Sequence, residues 1–269
     1  DRAIELNPRF GEAFTNRGLA YAQLSNFVKA IEDHDRAISL KPTHAMPFNN
    51  RGYTYLLKGD YNTAITDLNQ ALKLDSKLAL AHSNRGLAYY YKKDYDKAID
   101  DCTNAIRYDP KLAIAWSNRG LARHQKGEDE VALKDFDHAL KLDPTMQAAF
   151  NNRGLTYSSM GELDKALDDL EKAIRLSPDD YHGYQIRAGV YEKLGELDNA
   201  ISDYNKLLEL VPNSIEGHLG RGLCNRKQGN QELADDDFNW VSKNSSDAQE
   251  QFIAREYLKE AKSPKSKRQ

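Results

Sequence analysis

The sequence has few of the features that mark a disulfide-rich, membrane-inserted or nucleic-acid-binding protein. Only two of its 269 residues are cysteine, Cys102 and Cys224, and they lie too far apart in the repeat pattern described below to pair. No long apolar run occurs, so we predict no membrane insertion. The formal net charge is only -3 although 29% of residues are charged, whereas a general nucleic-acid binder needs a basic face. We therefore predict no nucleic-acid partner.

Residues able to catalyse a reaction or hold a metal ion do not form a set that we recognise. The seven histidines show no close metal-ligand spacing to one another, to cysteine or to an acid. No glycine-rich phosphate loop is present, because the glycines occupy turn and packing positions. The sequence predicts no catalytic residue, no metal site and no cofactor.

A short pattern recurs through the chain with a fixed spacing. It reads Asn-Arg-Gly-Leu-Ala-Tyr at 84–89. Related copies lie 34 residues apart, at Asn16, Asn50, Asn118 and Asn152, and looser copies surround Arg187 and Arg221. A constant period of this length indicates stacked helical hairpins, each of which buries its apolar face against the next.

The constant spacing of small and aromatic residues around this pattern carries a family resemblance. Aromatic or histidine residues come four positions before each small residue of the motif, and alanines from Ala30 to Ala234 come twelve positions after it. The chain resembles the tetratricopeptide repeat family. The resemblance implies an all-α, right-handed superhelical solenoid of antiparallel helix hairpins that serves as a scaffold for protein partners. One departure is that arginine occupies a position where the family usually has leucine.

The repeats also predict how the chain is organised. Residues 1–10 match the second helix of a preceding repeat, 11–248 form seven 34-residue repeats, 249–262 form an amphipathic capping helix, and 263–269 form a disordered basic tail. We expect the chain to be a fragment of a longer protein. Because no signal-peptide pattern opens it, we expect a cytoplasmic location.

The arginine beside each small residue predicts an ion pair. An aspartate follows it sixteen residues later in all seven repeats, from Arg17 with Asp33 to Arg221 with Asp237. In an antiparallel hairpin these positions lie at similar heights, and a partly buried guanidinium needs a partner. We predict pairs within each repeat first and contacts between neighbouring repeats second.

A second ladder consists of Asn16, Asn50, Asn84, Asn118 and Asn152. It is similar to the asparagine ladder of O-linked N-acetylglucosamine transferase and of importin-like solenoids, which implies that it binds the backbone of an extended peptide in the concave groove. The alternative is that these asparagines cap or bridge neighbouring helices. Nearby neutral side chains would receive the apolar side chains of the ligand: Tyr53, Leu57, Leu87, Tyr90, Tyr91 and Leu121.

We therefore expect a protein-interaction scaffold, and no enzyme, that binds an extended and mostly uncharged peptide segment. Two alternatives remain open from the sequence. The repeats could be the substrate-recognition arm of a larger enzyme such as a glycosyltransferase. They could also self-associate, because the unpaired half-repeat at 1–10 leaves an apolar face for a second copy.

Overall fold

The computed structural model describes the backbone of residues 1–262, and the tail predicted at 263–269 lies outside the described residues. The described part of the chain is all-α and contains no strand. It divides into two compact units, and the boundary along the chain falls between Pro144 and Thr145.

The first unit holds a short leading helix and four hairpins. The leading helix, α1, spans Arg2–Leu6. The hairpins are α2 (Gly11–Gln23) with α3 (Phe27–Leu40), α4 (Ala45–Leu57) with α5 (Tyr61–Leu74), α6 (Ala79–Tyr91) with α7 (Tyr95–Tyr108), and α8 (Ala113–Gln125) with α9 (Asp129–Leu142).

The second unit holds three hairpins and a final helix. The hairpins are α10 (Gln147–Ser159) with α11 (Leu163–Leu176), α12 (Tyr181–Leu194) with α13 (Leu197–Leu210), and α14 (Ile215–Gln228) with α15 (Gln231–Asn244). The final helix, α16, spans Ala248–Lys262 and packs on α15. Phe238 of α15 and Tyr257 of α16 stack with ring centroids 4.9 Å apart.

Small residues let the two helices of each hairpin approach closely. The alanines at the shared position of the second helices are fully or almost fully buried. A Cβ added to Gly120 would lie 2.8 Å from Phe136 Cε1, so this contact requires glycine. The tight turn between the two helices also favours glycine, because the residue there adopts positive φ in five hairpins: Gly59, Gly127, Gly161, Gly195 and Gly229. Ser25 and Lys93 adopt the same conformation without being glycine.

Contacts between hairpins place the first helices side by side. Within residues 1–144, α2 contacts α4, α4 contacts α6 and α6 contacts α8, whereas successive second helices of that unit show no comparable contact. The second helices α3, α5 and α7 instead pack between the first helix of their own hairpin and that of the next. The first helices α4, α6 and α8 therefore form a continuous layer, and its surface carries the predicted binding residues.

Candidate peptide-binding surface

The structure confirms the predicted arginine–aspartate pairs in all seven repeats. In each, Nε and Nη2 of the arginine donate to the two carboxylate oxygens of the aspartate at 2.6–2.9 Å. The aspartates are buried. The hydrogen bond to Asp101 raises the pKa of Arg85. These charges are neutralised within each hairpin, which leaves them no role as open anion sites.

The predicted contacts between neighbouring repeats are also present in the first unit. Arg51 Nη1 donates to Asp35 of the preceding second helix. The equivalent atom of Arg85 donates to Asn69 Oδ1 at 2.7 Å, and that of Arg119 donates to Thr103 Oγ1 at 3.2 Å. Each arginine therefore ties its own hairpin to the one before it.

The asparagines of the first unit connect neighbouring first helices. Asn84 Nδ2 donates to Asn49 Oδ1 at 3.0 Å, and Asn118 Nδ2 donates to Ser83 Oγ at 3.2 Å. Both bonds join residues 35 positions apart. Asn49 Nδ2 in turn donates to Asn50 Oδ1 at 2.9 Å. Bridging of neighbouring helices, the alternative considered from the sequence, is thus a property of Asn84 and Asn118.

Each bridge uses one N–H of the ladder amide and leaves the amide oxygen without a donor. Within residues 1–144, Asn84 Oδ1 and Asn118 Oδ1 accept no hydrogen bond, and neither belongs to the enclosed polar atoms that lack a partner. An amide carries two donors and one acceptor oxygen. The bridge uses one N–H of each amide, so its oxygen and its second N–H remain for other hydrogen bonds.

The apolar residues of the predicted surface are partly exposed. Leu57 is 41% exposed and Tyr91 is 48% exposed, and Met46 and Leu80 on the same two helices are exposed to a similar degree. Tyr53, Leu87, Tyr90 and Leu121 are half-buried. Burial raises the pKa of Tyr90 to about 12, so this phenol stays neutral at physiological pH.

An aromatic cluster lies where the first helices α4 and α6 end. The rings of Tyr91 and Tyr61 stack with centroids 5.0 Å apart and planes 7° apart. The ring centroid of Tyr90 lies 5.4 Å from that of Tyr91, in an edge-on contact, and 5.8 Å from that of Tyr95. Tyr61 and Tyr95, which open the second helices α5 and α7, were not among the predicted residues. Their signal is an aromatic residue at the first position of α5 and again at that of α7.

The outer members of the ladder are placed differently. Asn16 is exposed and lines a cleft with Gly11, Thr15, Lys41 and Met46. Asn152 belongs to the second unit, where it is half-buried. We therefore restrict the surface to α4, α6 and α8, with Asn50, Asn84 and Asn118 as its ladder residues.

The second unit shows where the bridging pattern stops. Asn151 occupies the position of Asn49 and Ser83, but its Oδ1 is enclosed and accepts no hydrogen bond. The residue 35 positions onward is Ile186, which has no side-chain donor. Because the repeat that starts with α12 has no ladder asparagine, Asn151 Oδ1 in the repeat before it is left without a donor.

Groups of histidine, cysteine and acidic side chains suited to a metal ion do not occur among the described residues. Both cysteines are buried and unpaired, and burial raises the pKa of the Cys224 thiol to about 11. No helix in the described part of the chain is long and apolar enough to cross a membrane.

Comparisons with known proteins identify the repeats. Family models described as "Tetratricopeptide repeat" match residues 11–44, 35–66, 79–112, 113–146, 148–180 and 181–214, and one described as "TPR repeat" matches 52–92. The chain therefore belongs to the tetratricopeptide repeat family, whose members are protein-interaction scaffolds. No curated protein matches the sequence.

Solved structures share the fold at low sequence identity. A chain of the APC/C hetero-tetramer Cut9–Hcn1 is 17% identical with a TM-score of 0.85, over 97% of this chain and 51% of that one. A tetratricopeptide repeat protein from Parabacteroides merdae is 21% identical with a TM-score of 0.66, over 93% and 98% of the two chains. Yeast Tom70 is 18% identical with a TM-score of 0.65, over 97% and 57%. The chain thus spans about half the length of the Cut9–Hcn1 chain that it matches.

Proposed function

We propose that the surface of α4, α6 and α8 binds an extended, largely uncharged segment of a partner protein. The observation that carries this proposal is the combination of fixed acceptors, Asn84 Oδ1 and Asn118 Oδ1, with exposed apolar side chains on the same layer of helices. Tyr53, Leu57, Leu87, Tyr90, Tyr91 and Leu121 would receive the apolar side chains of the segment.

The spacing of the layer suits an extended chain. Packed helices lie about 8–10 Å apart, and an extended chain rises ~3.3 Å per residue. The oxygens of Asn84 and Asn118 would therefore accept from N–H groups about three residues apart in the bound segment. Backbone N–H groups are present whatever the side chain, which explains how amides can hold varied sequences.

The energy of binding must come mainly from apolar contact. Each hydrogen bond contributes only about 0.5–1.5 kcal/mol, whereas full burial of a leucine side chain contributes about 1.5–3 kcal/mol. The nearby arginines are neutralised by aspartate, and His124 Nδ1 lies 2.7 Å from Asp129 Oδ1. Binding should therefore depend weakly on salt.

Selection from a displayed library of random peptides tests this function with matched variants. Leu57→Ser with Leu80→Ser changes two exposed side chains of the layer, and Val131→Ser changes an equally exposed side chain of the second helix α9. We expect peptides poor in charge to be enriched, and the Kd to rise about tenfold or more in the double variant only. Enrichment of highly charged peptides, or an effect confined to Val131→Ser, would contradict the proposal.

The alternatives predict different partners for the same fold. A recognition arm of an enzyme would use this surface for a substrate segment, so a protein that joins this chain to a catalytic domain would modify the selected peptides. Self-association would appear in light scattering as a mass that doubles with concentration. A cytoplasmic location stays a prediction, which imaging of the tagged protein in cells would check.

A further inference from the structure

Two histidines stand where the other repeats carry phenylalanine, tryptophan or tyrosine. His82 and His218 are the fourth residues of the first helices α6 and α14, and the equivalent residues elsewhere include Trp116 and Tyr184. Trp116 Nε1 donates to the carbonyl oxygen of Pro110 at 3.0 Å, and Tyr184 Oη donates to that of Pro178 at 3.2 Å. In these repeats, one N–H or O–H ties the aromatic ring to the turn six residues upstream.

Each histidine makes the same contact and adds a second one. His82 Nε2 lies 3.1 Å from the carbonyl oxygen of Ser76, and its Nδ1 lies 3.1 Å from Asp101 Oδ1. The ring is buried and stacks on Tyr108 at 5.5 Å. A carbonyl and a carboxylate both accept hydrogen bonds and donate none.

His218 repeats this arrangement in the second unit. Its Nδ1 lies 2.7 Å from Asp237 Oδ1, its Nε2 lies 3.3 Å from the carbonyl oxygen of Pro212, and its ring stacks on Trp240 at 3.9 Å. A neutral imidazole has a single N–H, so it satisfies only one of the two acceptors, whereas the imidazolium satisfies both.

We propose that His82 and His218 are proton-dependent clasps, each of which links an inter-repeat turn to the second helix of the repeat when the ring takes up a proton from water. The proton adds one N–H donor between two existing acceptors, and no other bond changes. The clasps are separate from partner binding, because they determine how firmly the turns before α6 and α14 are held.

The charged groups around each ring limit how much a clasp can stabilise its turn. Asp101 from α7 faces His82 and is already paired with Arg85, which lies on α6 like the histidine. Asp75 and Lys77 flank Ser76 in the turn. Around His218, Asp237 from α15 is shared with Arg221, and Glu216 lies in the first turn of α14. A clasped ring therefore adds a positive charge to a pair that is otherwise neutral, which limits the gain to about that of one hydrogen bond.

The chain contains its own controls for the test. The amide of Leu78 donates to the Asp75 carbonyl in the turn held by His82, and the amide of Leu112 makes the same bond in the turn held by Trp116. In the second unit the amide of Ser214 belongs to the His218 turn and that of Asp180 to the Tyr184 turn.

Hydrogen exchange of these amides measures the clasp directly. Between pH 6 and pH 8 we expect the protection factors of Leu78 and Ser214 to fall about two- to tenfold, and those of Leu112 and Asp180 to stay constant. His82→Trp copies the Trp116 arrangement and should abolish the pH dependence at Leu78 but leave it at Ser214. Equal changes at all four amides, no change at Leu78 and Ser214, or persistence at Leu78 in the variant would overturn the proposal.

Discussion

The ionic ladder predicts a strong coupling between Arg187 and Asp203. Their two hydrogen bonds are 2.8 Å long, and the two side chains are 19% and 6% exposed. The hydrogen bond to Asp203 raises the pKa of Arg187. Arg187→Met leaves a buried carboxylate without its donors, so we expect a loss of about 3–5 kcal/mol in the free energy of unfolding.

A double-mutant cycle separates this coupling from simple loss of packing. Arg187→Met with Asp203→Leu removes both charges, and we expect it to recover most of the loss. Lys206→Met breaks an exposed ion pair with Glu209 on the same helix as Asp203 and should cost less than about 1 kcal/mol.

Urea unfolding followed by circular dichroism provides the free energies. Because repeat arrays can unfold in parts, hydrogen exchange of α12 and α13 should report the same ranking. If the double variant loses as much as the two single variants together, the residues are uncoupled and the ladder is not what locks the hairpins.

Other predictions address single features of the fold. His34 is fully buried and burial lowers its pKa to about 4, so the unfolded chain binds the proton more tightly. The contribution of His34 to the free energy of unfolding is therefore complete above pH ~6.5 and should fall by up to about 3 kcal/mol as the pH drops to 4. Acid titrations of unfolding should show no such loss in His34→Leu. Lys93→Gly removes a positive φ at a non-glycine residue and should raise the free energy of unfolding by about 1 kcal/mol in urea. Asn118→Ala should lower the free energy of unfolding by about 0.5–1.5 kcal/mol in the same assay. Adding Ser83→Ala should lower it little further, because the two substitutions remove the same hydrogen bond.

The repeat period allowed the fold to be predicted because it fixes local structure and packing together. Small residues such as Gly120 and Ala132 recur where helices touch, and the sixteen-residue offset of each arginine and aspartate matches an antiparallel hairpin. The predicted final helix at 249–262 corresponds to α16, which begins one residue earlier, at Ala248.

The candidate site was harder to predict because its chemistry depends on contacts between hairpins. The sequence shows Asn84 and Asn49 but not that the nitrogen of one meets the oxygen of the other. It likewise shows Tyr61 and Tyr91 without indicating that the rings stack. His34 occupies a position that is apolar or aromatic in the other repeats, which indicates burial. That both of its ring nitrogens lack a hydrogen-bond partner follows only from the packing around them.

Photo-crosslinking of a selected peptide tests the central claim most directly. A benzophenone side chain at Tyr53 or Leu87 reports on the layer of first helices, and one at the exposed Thr66 or Asp100 reports on the second helices of the same unit. The account predicts crosslinks from Tyr53 and Leu87, largely insensitive to salt, and none above background from Thr66 and Asp100. Crosslinks from Thr66 or Asp100 alone would place binding on the opposite face and contradict it.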